Sequence, residues 1–287
     1  MNKVIKALAL AGLATSMTGI ASAAIFNPFT VQEPGSNNLV QNATKINGTY
    51  TEQALFYNQT LSGPNTITGN FKTSVLWNAQ GFSTGPQGQT SVPSYLNALG
   101  SNGYGMYATF AGFGTFSLDT TTHVAQITFN NGSLFGVWLD PGINDTFTTP
   151  AAGNQWGVTD PTSTDIQIAQ LSNLLGGAGT LNPMLQTCGP NTLNPSGNGI
   201  NCGSFGVTTG FTLTGAGSGY FIAPVPFYNV SFDSGVFNIF DPTATKDQNI
   251  TGVLNATFTT VPEPASLALV GLGLLGMGVS LRRRKQS

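Results

Sequence analysis

Apolar and polar side chains alternate without a break in Leu254-Asn255-Ala256-Thr257-Phe258-Thr259. Because successive side chains of a β-strand point to opposite faces, this period of two predicts a strand that buries Leu254, Ala256 and Phe258. The residues between them face the other side of the sheet. A sheet with one buried face is the typical setting for such a pattern, so the stretch indicates an all-β protein.

A second stretch with the same period lies at 123–130, where Ala125, Ile127 and Phe129 share one face with His123. Turn-forming Asn, Asp, Pro and Gly clusters separate such stretches, and Pro224 confines its own stretch to an edge strand or a loop. No convincing amphipathic helix appears away from the chain ends. The sequence therefore predicts a single β-sandwich of roughly ten strands. Further strands are expected at about 49–57, 66–77, 104–117, 133–139, 165–171, 204–214, 219–223 and 235–240.

The N-terminus has the composition of an export signal. Lys3 and Lys6 precede an apolar stretch that ends near Ile20, and Ala21-Ser22-Ala23 follows as an A-x-A cleavage pattern. We expect residues 1–23 to form a secretory signal peptide with a short helix. The Sec translocon is the implied partner, and the mature chain would begin at Ala24.

The C-terminus combines a proline-rich tripeptide, an apolar run and a basic end. Pro262-Glu263-Pro264 is followed by 17 uncharged residues, 265–281, and then by Arg282-Arg283-Arg284-Lys285. A helix of that length rises roughly 25 Å, at the short end of what spans a bilayer. The basic residues favour the cytoplasmic side, which leaves the preceding chain outside.

This order of features resembles the PEP-CTERM tail of Gram-negative bacteria. The resemblance implies that a membrane-bound exosortase recognises Pro262, Glu263, Pro264 and the basic residues Arg282, Arg283 and Arg284. It also implies cutting near Pro264 and transfer to the cell surface or extracellular matrix, after a transient stay in the inner membrane. A permanent single-span anchor is the alternative. The expected organisation is a signal peptide at 1–23, a β-sandwich ectodomain at 24–260 and a sorting signal at 261–287, with its transmembrane helix at 265–281 and its basic tail at 282–285.

The charge of the body limits its partners. Residues 24–264 contain three lysines but all eleven acidic residues of the chain. This balance argues against nucleic-acid binding and provides no basic patch for anionic polymers. Solubility must then depend on Asn, Thr, Ser, Gln and Gly, and such a neutral polar surface suits contact with polysaccharide or with further copies of the chain.

The two cysteines, Cys188 and Cys202, enclose a segment rich in Gly, Pro and Asn. An exported chain meets an oxidising compartment, and a bridge would restrain a loop that has little to bury. A disulfide between them is therefore predicted. A metal site at these cysteines is disfavoured, since no histidine lies near them.

Candidates for catalysis are few. A Ser-His-Asp triad would have to use His123, the only histidine, and no G-x-S-x-G motif supplies a nucleophile. We expect His123 to be a structural residue near a sheet edge. Paired carboxylates could in principle hydrolyse glycosides, but the acids lie mainly in turns. The chain is predicted not to be an enzyme, with a hydrolase of matrix polymer as the less favoured alternative.

Three loops repeat an Asp-Pro motif that ends in a second aspartate. Calcium prefers six to eight oxygen ligands, which paired carboxylates with loop carbonyls can provide. The alternative is that Asp-Pro only opens a turn, in which case no cofactor is needed. The candidate calcium ligands are Asp140, Asp145, Asp160, Asp165, Asp241 and Asp247. The stretch Asp247-Gln248-Asn249-Ile250-Thr251 also resembles the bacterial glycosylation acceptor pattern, which makes Asn249 a candidate for modification.

The start of the mature chain carries a second resemblance. Phe29-Thr30-Val31-Gln32-Glu33 and the later Ala43-Thr44-Lys45-Ile46-Asn47-Gly48-Thr49-Tyr50-Thr51-Glu52 are similar to the opening of the flocculation-associated PEP-CTERM proteins. Thr44 stands where such proteins often have Asp. The resemblance implies a non-enzymatic surface or matrix protein that acts in floc or biofilm formation with exopolysaccharide. The alternative is a calcium- or carbohydrate-binding module with a defined pocket.

Overall fold

The computed structural model describes residues 26–85, 88–130, 134–181, 200–241 and 243–259. These residues form fifteen strands and one six-residue helix, α1 (Gly215–Tyr220). The strands are β1 (Phe29–Gln32), β2 (Leu39–Ala43), β3 (Lys45–Leu61), β4 (Thr66–Thr84), β5 (Thr90–Val92), β6 (Gly105–Asp119), β7 (Ala125–Phe129), β8 (Leu134–Asp140), β9 (Thr146–Thr148), β10 (Gly157–Thr159), β11 (Ile166–Leu181), β12 (Ile200–Leu213), β13 (Phe221–Ala223), β14 (Asn229–Phe240) and β15 (Gln248–Thr259).

The long strands form one closed sheet with eight positions. Hydrogen-bonded neighbours follow the order β3, β4, β6, β7 with β8, β11, β12, β14 and β15, and β15 pairs back with β3. β7 and β8 share one position, because both lie between β6 and β11 at different heights. All these pairings are antiparallel, so the chain runs up and down around an eight-strand barrel.

The predicted all-β class is confirmed, but the predicted β-sandwich is wrong. A sandwich needs two sheets with free edges, whereas β15 pairs with β3 continuously from Gln248 opposite Ala54 to Thr257 opposite Lys45. The other edge is removed as well, since β4 pairs with β6 along most of its length. Closure of the sheet onto itself joins the edges that a sandwich would leave open. The predicted signal helix and transmembrane helix lie outside the described residues.

The inward faces of the strands form the core. Leu254, Ala256 and Phe258 are all buried, as their alternation predicted. Ala125 and Ile127 on β7 are buried as well. The strand expected from residue 123 begins only at Ala125, so His123 lies in the preceding turn, where it is exposed and has a positive φ of 57°.

A small sheet of β13, β1 and β2, in that order, packs across one end of the barrel; we call it the end sheet. Its centre is Phe29, whose ring centroid lies 4.7 Å from that of Phe258 on β15 and 6.1 Å from that of Phe221 on β13. Pro224 follows β13 directly in a loop, in agreement with its predicted edge or loop position. The stretch expected as a strand from 219 begins instead within α1.

A hairpin of β9 and β10 covers part of the outside of the barrel. Leu76 on β4 and Tyr107 on β6 are buried there together with Trp156 from the hairpin loop. The Tyr107 ring stacks on Trp138 of β8 with a centroid distance of 5.4 Å. This outer cluster fixes the hairpin against the wall, and it thereby holds the two Asp-Pro loops at the hairpin ends.

Among the helices in the described ranges, none has the length and apolar character needed to cross a membrane.

Candidate functional site

The first Asp-Pro loop follows β8 and is organised by Asp140. One carboxylate oxygen, Oδ1, accepts a hydrogen bond from the backbone N–H of Gly142 at 3.0 Å. The other, Oδ2, accepts from the N–H groups of Asn144 at 3.0 Å and Asp145 at 3.3 Å. Asp140 is only 5% exposed. Its carboxylate therefore sets the turn that presents Asp145.

The second loop follows β10 and repeats this arrangement. Asp160 accepts hydrogen bonds from the backbone N–H of Thr162 at 2.8 Å and of Asp165 at 2.9 Å. These backbone donors, with Asp165 the strongest, lower the pKa of Asp160 to about 2. The loops are joined by a hydrogen bond from the Asn144 amide nitrogen to Thr162 Oγ1 at 3.3 Å.

The two loops together build a cluster of three aspartates, Asp140, Asp145 and Asp165. Each offers a carboxylate oxygen within 4.8 Å of the others. β9 and β10 bring them together, because their pairing places Thr146, next to Asp145, opposite Thr159, next to Asp160. The second aspartate of each motif, Asp145 in the first loop and Asp165 in the second, therefore lies in the cluster.

Several oxygens of this aspartate cluster are buried without a hydrogen-bond partner among the described residues. They are both carboxylate oxygens of Asp145, Oδ1 of Asp165 and the amide oxygen of Asn144. Asp165 Oδ2 accepts a hydrogen bond from the Tyr107 hydroxyl at 2.5 Å. Burial raises the pKa of Asp145 to about 7, and the carboxyl groups of Asp165 and Asp140 add to the rise. Converging anionic and amide oxygens are the donor set of a hard divalent cation such as calcium.

The third Asp-Pro loop does not join the cluster. Asp241 accepts hydrogen bonds from the backbone N–H of Thr243 at 2.9 Å and from its hydroxyl at 2.6 Å, so it holds its own turn. Asp247 accepts from the backbone N–H of Ala152 at 3.1 Å and ties the hairpin loop to the β14–β15 connection. The structure therefore brings together three of the six predicted aspartates, with Asp160 as the residue that shapes the second loop.

Two contributors to the cluster were missed from the sequence. Tyr107 comes from the middle of β6, and its link to Asp165 depends on how the hairpin lies on the barrel wall. Asn144 is adjacent to a predicted aspartate, and its position within Asp140-Pro-Gly-Ile-Asn-Asp145 was a usable signal for a further oxygen donor.

An aromatic patch lies on the outer wall where β3, β4 and β6 run side by side. Tyr57 is 38% exposed and Phe113 is 43% exposed. In register, Tyr57 lies opposite Asn70 on β4, and Phe113 lies opposite Lys72 on the same strand. The strand positions of Asn70 and Lys72 thus lie between those of the two exposed rings. Exposed aromatic rings flanked by polar side chains can stack on sugar rings and hydrogen-bond their hydroxyl groups. We call this set the aromatic patch.

The comparisons with known proteins concern the end of the chain. The model of a family described as the PEP-CTERM protein-sorting motif matches residues 260–285. The chain carries a PEP-CTERM sorting motif. No curated protein and no solved structure matches the chain.

The PEP-CTERM motif confirms the interpretation of the C-terminal tail as an exosortase substrate, and it implies export to the cell surface of a Gram-negative bacterium. The match begins at residue 260, directly after β15 ends at Thr259. The barrel is thus joined to the PEP-CTERM motif by its closing strand. Pro262, Glu263, Pro264 and Arg282–Arg284 belong to the matched sequence but lie outside the described residues.

The remaining predicted positions stay predictions. Cys188 lies outside the described residues, and Cys202 is placed by its backbone in β12 opposite Val236 of β14. Asn249 is exposed on β15, where its backbone pairs with Gln53 of β3. Neither the disulfide nor the modification of Asn249 is tested by these positions.

Proposed function

We propose that this protein is an exported surface or matrix protein that acts without catalysis in cell aggregation, through contact with exopolysaccharide. The observation that supports the proposal is a closed barrel that carries the aromatic patch on its outer wall and leads directly into a PEP-CTERM motif. The similarity of the first strands to flocculation-associated PEP-CTERM proteins also supports a role in cell aggregation.

The export route is part of the proposal. Residues 1–23 direct the chain to the Sec translocon and are then cleaved off, residues 265–281 hold the chain briefly in the inner membrane, and exosortase cuts near Pro264. The barrel then reaches the cell surface or matrix without its basic tail. The three lysines of the body provide little attraction for anionic polymers, so neutral contacts with polysaccharide are expected to dominate.

The test is deletion of the gene, followed by scoring of flocs after complementation. The full-length gene should restore flocs, whereas a gene that lacks residues 262–287 should not. A third gene carries Tyr57→Ser with Phe113→Ser, and it should restore export but not flocs. Val253→Ser is the matched control, because Val253 is 45% exposed on β15 outside the patch. Flocs that form equally in all strains would contradict the proposal.

A second candidate function is calcium binding at Asp140, Asp145 and Asp165. The observation that favours it is the set of buried, unpartnered oxygens on Asp145 and Asp165. Unpaired buried carboxylates are costly, and a divalent cation would satisfy them. Binding would also fasten the hairpin of β9 and β10 to the barrel wall. Calcium would therefore stabilise the folded protein and hold this part of its outer surface in place.

For calcium, we predict that a millimolar concentration raises the melting temperature, because a ligand that binds only the folded state stabilises it. Asp145→Asn with Asp165→Asn should abolish the rise. Asp241→Asn is the matched control: it makes the same change in the third loop, outside the cluster, and should leave the calcium response intact. If calcium does not change the melting temperature of the unmutated protein, this function is excluded.

A further inference from the structure

The interior of the barrel contains a cavity that is separate from the aspartate cluster. Its volume is about 60 Å³. That is room for roughly four to six water molecules. The wall consists mainly of aromatic and aliphatic side chains, among them Phe56, Phe71, Phe110 and Trp77. Such a wall offers water few hydrogen bonds and favours an apolar occupant.

The cavity occupies the part of the barrel away from the end sheet. On β3 its wall includes Tyr50, Glu52 and Phe56, whereas Ile46, nearer the end sheet, packs in the core without lining it. Trp77 forms part of the wall on the side of the end sheet, and its indole N–H donates to the backbone oxygen of Leu254 at 2.8 Å. The position of this ring is therefore fixed.

One carboxyl group interrupts the apolar wall. Glu52 occupies an inward position of β3, two residues from Tyr50, and it lines the cavity. It accepts a hydrogen bond from the hydroxyl of Thr73, which is fully buried on β4. Burial raises the pKa of Glu52 to about 7, and the hydrogen bond from Thr73 opposes the rise. Among the described residues of the wall, Tyr50 is the other titratable group.

The contrast with Glu33 shows that Glu52 lacks a comparable structural role. Glu33, on the loop after β1, is 1% exposed. It accepts hydrogen bonds from the backbone N–H of Tyr95 at 2.7 Å, the hydroxyl of Tyr104 at 3.2 Å and the amide of Asn38. Glu33 thus fastens the end sheet to the 95–104 loop. Among the described residues, the hydrogen-bond donor to the Glu52 carboxyl group is Thr73, which makes no such link between elements. Because the carboxyl group lines the cavity, an occupant of the cavity can supply the further hydrogen bonds that Glu33 receives from protein groups.

We propose that the cavity binds a small apolar molecule whose single polar group donates a hydrogen bond to Glu52, as an aliphatic alcohol or amine does. The apolar body of such a ligand would cover the aromatic wall and gain the free energy of burial. Its hydroxyl or ammonium group would reach the carboxyl group that the wall presents. A ligand with a carboxylate head would instead place two acids together and would be rejected at alkaline pH.

The test compares 1-butanol, butylamine and butyrate, which share a short chain and differ in the head group. Binding to the exported protein is followed at pH 8 by the NMR signals of the three tryptophan indole N–H groups. The Trp77 signal should shift in a saturable way, while Trp138 and Trp156, which lie in the outer cluster, provide an internal reference. The alcohol and the amine should bind, and butyrate should not.

Two variants separate the head-group contact from the cavity itself. Glu52→Gln keeps the size of the side chain but removes its charge. The variant should bind butylamine with an affinity at least tenfold lower, while 1-butanol still binds. Glu33→Gln makes the same change on the loop after β1, away from the cavity, and should leave both affinities unchanged at a temperature where the variant is folded. Ala108→Leu adds carbon atoms to the cavity wall and should abolish binding of both ligands.

The proposal would be overturned if none of the three compounds shifted the Trp77 signal. It would equally be overturned if butyrate bound as tightly as butylamine at pH 8. Binding that survives Ala108→Leu would place the ligand elsewhere on the protein. Far-ultraviolet circular dichroism of each variant verifies that the barrel has formed before binding is measured.

Discussion

At the residue scale, the environment of each acid decides its chemistry. Asp160 is surrounded by backbone donors, which keep its pKa at about 2. Glu52 faces an apolar cavity, and burial raises its pKa to about 7. The same functional group therefore stays ionised where backbone donors surround it, as at Asp160, and titrates near neutrality where burial dominates, as at Glu52.

The raised pKa of Glu52 predicts a dependence of stability on pH. Its folded-state value of about 7 exceeds its ordinary value of 4.5. The folded state thus binds the proton more tightly, and the resulting stabilisation is full below pH 4.5 and is lost as the pH rises through 7. One pKa unit corresponds to about 1.4 kcal/mol, so the loss amounts to about 3 kcal/mol at most.

Urea unfolding at pH 5 and pH 8 measures this effect. The unmutated protein should lose stability between the two values, and Glu52→Gln should lose clearly less. Other acids with raised pKa values, Asp145 and Asp233, contribute to the remaining dependence. An equal loss in the protein and the variant would show that Glu52 does not titrate in this range.

Sequence reasoning found the aspartates of the cluster but did not find Glu52. The Asp-Pro loops repeat a visible motif, so their residues stand out in the amino-acid sequence alone. Glu52 stands out there only as the last residue of a stretch that resembles a family. Its inward direction could have been inferred from the alternation Ile46, Gly48, Tyr50, Glu52, but the cavity beside it arises from side chains of other strands.

At the element scale, Gly48 on β3 leaves room for the indole ring of Trp77, which comes from β4 and reaches the backbone of β15. A Cβ atom at position 48 would lie 2.0 Å from the indole nitrogen of Trp77. The ring could not move aside without losing its hydrogen bond to the Leu254 oxygen. Position 48 therefore has to be glycine because the indole fills the space of a side chain.

Gly48→Ala should destabilise the protein by about 1–3 kcal/mol, the usual cost of overpacking a core. Gly81→Ala, on β4 nearby, is the matched control, since a Cβ atom there would meet nothing within 4 Å. Its effect should stay within about 0.5 kcal/mol. Thermal unfolding of the two variants makes the comparison, and equal losses would refute the packing argument.

Most of the long strands were located correctly by their periodicity, and several of them, such as β3, were predicted too short, whereas the short strands β1, β2, β5, β9 and β10 were not predicted. β3 was expected at 49–57 and runs from Lys45 to Leu61. Its added ends keep pairing with β4, through Lys45 opposite Ser83 and Leu61 opposite Ile67. At the C-terminal end, Asn58, Gln59 and Thr60 put polar residues on both faces, so the alternation fades and backbone pairing alone continues the strand. At the N-terminal end, Ile46 is buried in phase with Tyr50, but Gly48 between them has no side chain to mark the pattern.

At the scale of the whole molecule, the choice between a sandwich and a barrel could not be made from the sequence. Both folds bury one face of each strand, so the pattern in Leu254, Ala256 and Phe258 fits either. The difference is whether the first and last long strands pair with each other. That pairing joins residues far apart along the chain and leaves no local signal.

The sorting of the whole chain is expected to depend on the tripeptide Pro262-Glu263-Pro264. Replacement of Pro262-Glu263-Pro264 by three alanines should leave the full-length chain in the inner membrane, because exosortase no longer recognises it. Intact-mass measurement of the exported, unmutated protein should give a C-terminus near Pro264. A mass that still includes Arg282–Arg284 would show that the tail is a permanent anchor.

The pairing of β15 with β3 also bears on the order of events during export. A ring of strands stays open until its last member arrives, and in this chain the last member is the strand next to the sorting motif. Residues translocated earlier can form hairpins, such as β3 with β4, but the ring must wait for 248–259. Contacts between distant parts of a chain form slowly. The final folding step is thus expected late in export, once the strand next to the sorting motif has been translocated.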